Sequence, residues 1–407
     1  MQKTRLRKYA HLLAVSGLNI QKGQEVVIRA DLDQPEFVKT VVEECYKAGA
    51  GKVIVDWGYS PLTKLHVRYQ KLKTLEKIEE WELARLEHRA TALPCMLYLT
   101  SEDPDGLAGI DQKKLLRMMR ARSKATKPYR SRMENRYQWC IAGVPGKDWA
   151  KKVFPNDRVN VAMEKLWEAI LTTARVTDDP VKAWEEHNAD LAARCKYLTD
   201  LHLSKLVYKS KNGTDFCVGL IPGARFCAGK EDTIEGLSFN PNIPSEEVFT
   251  SPMSGVAEGV VHSSLPLSHN GQLVDHFWLK FEGGKVVDCG AETGEQVLRD
   301  ILAMDEGAAK LGECALVPFT SPIRNSGVLF YNTLYDENAA CHLALGRGFP
   351  EVLPGFETRS EEDTHKMGIN DSLVHVDFMI GNEDLDITGI TEDGKEIPIF
   401  RKGEWAF

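Results

Sequence analysis

The pattern of the chain changes once, near Leu203, and that change limits the folds open to it. Before it, short apolar runs alternate with amphipathic helical ones. Glu25–Ala30 reads as a strand, Phe37–Ala48 as a helix stopped by Gly49, and Lys52–Trp57 as the next strand. A strand, helix and strand joined by short links form a right-handed parallel crossover. Residues 3–16 carry an amphipathic helical pattern, and a charged helical segment is expected over Leu75–Leu93. Next come a strand at Cys95–Leu99, a helix near Gln112–Lys124, a strand at Trp139–Gly143 and a helical region over Val161–Arg194. Residues 1–203 are expected to form one parallel α/β domain.

After Leu203 short alternating runs are separated by Gly, Pro, Asn and Asp, as in Lys205–Tyr208, Phe216–Leu220, Gly259–His262 and Lys285–Asp288. That is the pattern of strands and turns. Asn212-Gly213 lies between two such runs, a strong hairpin signal, and Gly283-Gly284 repeats it. Two helices are expected to interrupt the strands, near Glu295–Met304 and Asp336–Leu345. No internal repeat or low-complexity linker separates the halves. The fold class is α/β, with residues 204–407 forming a β-rich α+β domain.

Composition excludes several function classes. The 407 residues exceed one simple core, so two domains are the default. A net charge of -8 argues against a nucleic-acid partner, because neutralising phosphates needs a basic face. The basic residues at 113–132 read as a solvated helical face. No window approaches the roughly 20 apolar residues of a membrane span. The opening segment is too short and interrupted in its apolar run for a signal peptide. Nine scattered cysteines without a CxxC pair read as reduced thiols of a cytoplasmic protein.

Three familiar motifs are absent on inspection. Ala48–Val53 lacks the glycine spacing of a phosphate loop and reads as a helix end turning into a strand. Leu345–Pro350 has too few glycines for a dinucleotide fingerprint. Neither Leu86-Glu-His nor Trp184-Glu-Glu-His extends to HExxH, so helical zincin chemistry is not available.

The residues that carry chemistry fall between Glu246 and Asp377. His375 and Asp377 lie two apart in an apolar, β-branched run, so on a strand they project to one face. A buried strand tolerates two such groups only when something compensates their polarity, and a metal ion does so. Glu246 and Glu247 enter a strand, and adjacent strand residues face opposite ways, so one of them at most points into a site. Glu313 precedes an apolar run. His342 is expected on the Asp336–Leu345 helix, with Asp336 as N-cap and Gly346 as the stop.

Four segments, Asn242–Pro252, Leu311–Pro318, Phe330–Gly346 and His375–Gly381, together resemble the aminopeptidase T/aminopeptidase S/PepS family of bacterial metallopeptidases. Gly51–Trp57, Pro318–Ile323 and Pro398–Trp405 extend the resemblance over essentially the whole chain. It implies a cytoplasmic aminopeptidase acting on short peptides, a co-catalytic pair of divalent metals (zinc, cobalt or manganese), and a homodimer. Carried over by position, the ligands would be Glu247, Glu313, His342, His375 and Asp377. Imidazole with carboxylate suits these metals. Glu247 and Glu313 are the catalytic candidates, and the sequence leaves open which one bridges the metals or takes the proton of the attacking water.

One position departs from the family. Seven residues after the histidine at 342 the family usually carries a tyrosine that helps stabilise the oxyanion, and here Phe349 stands there. A phenyl ring keeps the packing and offers no O–H donor. Two other readings accompany the peptidase, the second of them motivated by Phe349. One is a mononuclear iron ring-cleaving dioxygenase on the same scaffold, held by His342, His375 and Asp377. The other is a weakly active metal- and peptide-binding homologue.

Overall fold

Val26, Val27 and Ile28 are buried in succession, as a strand covered on both faces requires. In the computed structural model of the protein, which describes residues 2–407, they lie in the strand Glu25–Asp31. That strand pairs in parallel with Lys52–Gly58 on one side and Cys95–Thr100 on the other. Trp139–Gly143 and then the two-residue strand Asn242–Ile243 complete a five-stranded parallel sheet. The connecting helix Pro35–Ala48 starts with Pro at its first position and ends at Gly49, whose φ of 113° only glycine adopts without strain. The charged segment expected over Leu75–Leu93 is two helices, Leu72–Glu76 and Glu80–Ala92. The region Val161–Arg194 is likewise split into Val159–Thr173 and Pro180–Asp200.

The chain forms two units, Met1–Glu186 with Lys230–Pro244, and His187–Gly229 with Ser245–Phe407. The sequence pattern changes at residue 203, where strand Leu203–Lys209 begins, whereas the units divide at 186/187, inside the helix Pro180–Asp200. The first unit also takes back 230–244, because Asn242–Ile243 pairs beside Trp139–Gly143. So short a strand has no periodicity to announce it.

The second unit holds two sheets. A nine-stranded antiparallel sheet contains the expected hairpin, in which Leu203–Lys209 pairs with Asp215–Leu220 and Gly213 turns at φ 103°. The other sheet has four antiparallel strands in the order Val248–Thr250, Leu311–Leu316, His342–Gly346, His375–Met379. One alternate set of their residues, Val248, Cys314, Leu316, Leu343, Leu345, Val376 and Phe378, joins a core cluster with Leu206, Phe216, Phe277 and Phe281 of the larger sheet. The opposite set points away from that core, and it contains the polar residues singled out by sequence.

The helix expected over Asp336–Leu345 is not formed as such. A one-turn helix, Thr333–Asp336, and a 3₁₀ turn, Glu337–Ala339, give way at Ala340 (φ -161°) to the strand His342–Gly346. An apolar run this short is compatible with either state, and pairing with a strand on each side decides it. Asp336 does not cap the following helix. Its buried carboxylate accepts hydrogen bonds from the backbone N–H of Phe330 (2.8 Å) and Asn332 (3.0 Å), upstream of it.

Candidate metal centre

Register aligns the candidate residues. Across three neighbouring strands Glu313 stands opposite Ala344, and Ala344 opposite Asp377. His342 and His375 lie two residues before Ala344 and Asp377, so all four polar side chains share the face turned from the core. Ala344 and Gly346 supply no bulk to that face. Glu247 lies immediately before the fourth strand, two residues before Phe249, which stands opposite Ala315 on the same face.

The five residues gather into two triads. Glu247, Glu313 and His342 offer one ligand atom each within 4.8 Å of one another, and so do Glu313, His375 and Asp377. A cation with bonds of about 2.0–2.2 Å gathers such a set with small side-chain shifts. Glu313 belongs to both. The structure thus brings together the five ligands expected from sequence. Glu246 is as buried as Glu247, but its carboxylate lies 3.9 Å from His187, outside both triads.

Both histidines are oriented through their second nitrogen. His375 Nδ1 lies 2.7 Å from the Arg347 carbonyl and His342 Nδ1 3.1 Å from the Ala340 carbonyl. A carbonyl only accepts, so each Nδ1 carries the hydrogen and each Nε2 faces the centre. His375 Nε2 is 3.1 Å from both Glu313 and Asp377, and His342 Nε2 is 3.2 Å from Glu247. Backbone carbonyls holding the far nitrogen are the usual support of metal-binding imidazoles.

Electrostatics point the same way. Burial pushes the Glu313 carboxyl up to about 7, against the pull of its hydrogen bond from His375. Burial opposes charge on His342, yet the hydrogen bond and charge of Glu247 raise it to about 10. His375 is likewise disfavoured as a cation by burial, and Asp377 and Glu313 still raise it well above its ordinary value. Asp377 moves the other way: burial would raise it, but His375 holds it below the usual carboxylate range.

Sequence reasoning missed Glu337. Its carboxyl is raised well above the ordinary value by burial first, then by the negative charges of Asp377, Glu247 and Glu313. It feels the charges of the ligand set while belonging to neither triad. The two triads bring three carboxyl groups and two imidazoles together in a buried place, a donor set that fits bound metal ions. In the sequence Glu337 follows Asp336 in what reads as the first turn of a helix, where acidic residues are common, so nothing marked it.

The ring of Phe349 packs 4.8 Å from the His375 ring and 5.5 Å from that of Phe249, centroid to centroid. Its backbone N–H donates to Ser251 Oγ at 2.7 Å. Position 349 is therefore in the wall of the centre.

The fold and this donor set define a metal-dependent enzyme. Residues 2–405 match the thermophilic metalloprotease family (M29), and the chain belongs to that family of peptide hydrolases. It is 41% identical over 406 residues to aminopeptidase AmpS of Bacillus subtilis (strain 168), covering 99% of this chain and 98% of the relative. Aminopeptidase T of Thermus aquaticus is 39% identical over 406 residues, 98% of each chain. Wild-type AmpT from Thermus thermophilus superposes with a TM-score of 0.92 at 38% identity, over 100% of both chains. A 2,5-dihydroxypyridine dioxygenase from Pseudomonas putida KT2440 superposes with a TM-score of 0.52 at 12% identity, over 100% of this chain and 98% of that one. At that identity the likeness is one of fold.

Proposed function

We propose that this chain is an aminopeptidase that removes N-terminal residues from short peptides, using two divalent cations held by Glu247, Glu313 and His342 and by Glu313, His375 and Asp377. The observation that carries this reading is the sharing of Glu313 between the two triads, so that it would serve as a ligand to both cations when they are bound. Full-length relatives named as aminopeptidases support the substrate class. The three ligands that a mononuclear iron site would use are divided between the triads, which favours the hydrolase. Imidazole and carboxylate donors suit zinc, cobalt or manganese.

When bound, such cations polarise a carbonyl and make water acidic near neutral pH. The chain's own residues do the rest. Arg347 and Ala340 carbonyls keep both imidazoles in the tautomer that presents Nε2. With Glu247 and Glu313 serving as ligands, Glu337 is the carboxyl left to take the proton of the attacking water and return it to the departing amine. Phe349 closes the wall beside His375 and excludes water, without donating to the oxyanion.

All nine cysteines are free, which supports a reducing, cytoplasmic setting. No helix among the described residues is long and apolar enough to cross a membrane. The chain acts as a homodimer in this reading, and light scattering that finds a monomer at micromolar concentration would remove that element. Metal analysis of the purified protein, with hydrolysis of a leucine anilide and a dipeptide, tests the whole. Two zinc-like ions per chain and release of the first residue are expected. One iron, or no hydrolysis by the fully loaded protein, would overturn it.

A further inference from the structure

Glu247 is the only one of the five candidate ligands that stands outside a strand. The strand after it begins at Val248, where pairing with Leu316 starts, so Glu247 lacks the ladder that fixes Glu313, His342, His375 and Asp377. Something else must orient it, because a ligand free to turn costs conformational entropy when it binds.

The peptide plane one step before Glu247 is clamped from both ends. Its carbonyl, from Ser245, lies 2.7 Å from Nε2 of His187, a residue of the helix Pro180–Asp200. A carbonyl only accepts, so the hydrogen is on Nε2. The N–H of the same peptide, from Glu246, donates to Oδ1 of Asn338 at 2.6 Å. Asn338 is fully buried, and its own amide donates to the Leu334 carbonyl at 2.9 Å, which fixes which way it points. The His187 side chain is only 10% exposed, and the nearest carboxylate oxygen of Glu246 is 3.9 Å from its Nε2.

Two buried side chains thus hold one peptide plane by its donor and its acceptor. A plane held so cannot rotate, and its orientation sets the direction in which the next residue leaves the backbone. That next residue is Glu246, and Glu247 follows it directly, with Oε2 3.2 Å from Nε2 of His342. The triad of Glu313, His375 and Asp377 is set instead by strand pairing and by the Arg347 carbonyl.

We propose that His187 is a positioning residue of the metal centre, acting through the Ser245–Glu246 peptide on Glu247, and that it governs affinity for one of the two cations only. The inference rests on the two-cation reading given above. Losing an outer-shell partner of this kind costs roughly 10–100-fold in metal affinity. The cost falls on the cation of Glu247, Glu313 and His342. The other triad keeps its donors and its orientation.

The test is a cobalt(II) titration of the metal-free full chain, followed by visible absorption and by competition with a chelator. Wild type should hold two equivalents. His187→Phe keeps the ring volume and removes the donor; it should hold one equivalent as tightly as wild type and the second roughly 10–100-fold more weakly. His187→Gln restores an N–H donor and should recover most of that loss, a rescue that simple space-filling would not produce. Asn338→Ala frees the other end of the same plane and must weaken the same equivalent, so the question stays open to test if one variant does not fold. Unchanged affinity for both equivalents in the folded variants, or equal weakening of both, would overturn the role of His187. A wild-type chain that holds a single equivalent would instead fail the two-cation reading itself.

Discussion

The rings of Phe349 and His375 lie 4.8 Å apart at 47°, so the departure singled out in the sequence sits against a candidate ligand. If a tyrosine hydroxyl at that position donates to the oxyanion, its absence slows catalysis and leaves metal binding intact. Phe349→Tyr should then raise kcat by roughly one to three orders of magnitude, the loss attached to one oxyanion donor in the protease case. KM should change little, since the donor acts on the transition state. Comparison of kcat on a leucine anilide and a dipeptide, at equal metal occupancy, decides it. An unchanged or lower kcat would show that another group already holds the oxyanion.

Removing the triad of the last strand should remove its cation. His375→Ala and Asp377→Ala are expected to lose the cation of their own triad, and with it activity, while the parallel sheet of the first unit remains folded. Metal stoichiometry read beside circular dichroism checks both halves of the expectation. Full stoichiometry in both variants would end the assignment.

Protons compete with cations for this site, and the sign follows from the groups themselves. In the metal-free protein Glu313 keeps its proton up to about pH 7, and His342 keeps its own to about 10. Ligation needs the carboxylate and the free imidazole lone pair, so metal affinity should rise with pH through about 7 and on to about 10, with protons released on binding. Titration calorimetry in buffers of different ionisation enthalpy counts those protons. The same groups bind protons more tightly folded than unfolded. Their stabilisation of the metal-free chain is therefore present at low pH and lost as pH rises from about 4.5, where Glu313 loses its proton in the unfolded chain, to about 10, where His342 does in the folded one. A metal-free Tm that does not fall over that range would contradict this picture.

Ala344 lies between Glu313 and Asp377 in one registered row. Ala344→Leu should crowd the donor face without touching a donor. Metal affinity should fall by at least tenfold, with a loss of about 1–3 kcal/mol in stability for overpacking. Denaturant melts with and without metal separate the two effects, and wild-type affinity in a folded variant would refute the crowding.

Much of this arrangement is visible in the sequence, for reasons that differ between residues. His375 and Asp377 are legible because strand period places them on one face whatever surrounds the strand. The parallel sheet is legible because buried strands and amphipathic helices carry different periods. His342 was expected on a helix, since four or five apolar residues fit either state and only the flanking strands decide. Its place among the ligands came from resemblance, which does not depend on the local structure. Glu337 and His187 were invisible, because each acts through a fold-dependent approach to residues far off in sequence. The short strand Asn242–Ile243 lies in the β-rich stretch of the sequence yet joins the parallel sheet, a pairing that no local signal encodes.

The last two strands of the centre carry core residues and donor residues on opposite faces. Leu343, Leu345, Val376 and Phe378 point to one side, and His342, His375 and Asp377 to the other. A slip of one residue in either strand would turn the donors into the apolar core and the leucines toward the centre. The sheet therefore has no nearly correct arrangement in which a weakened centre could persist. Heat should switch such molecules off one by one rather than dim them all together, and the surviving activity at any temperature should equal the fraction of molecules still folded.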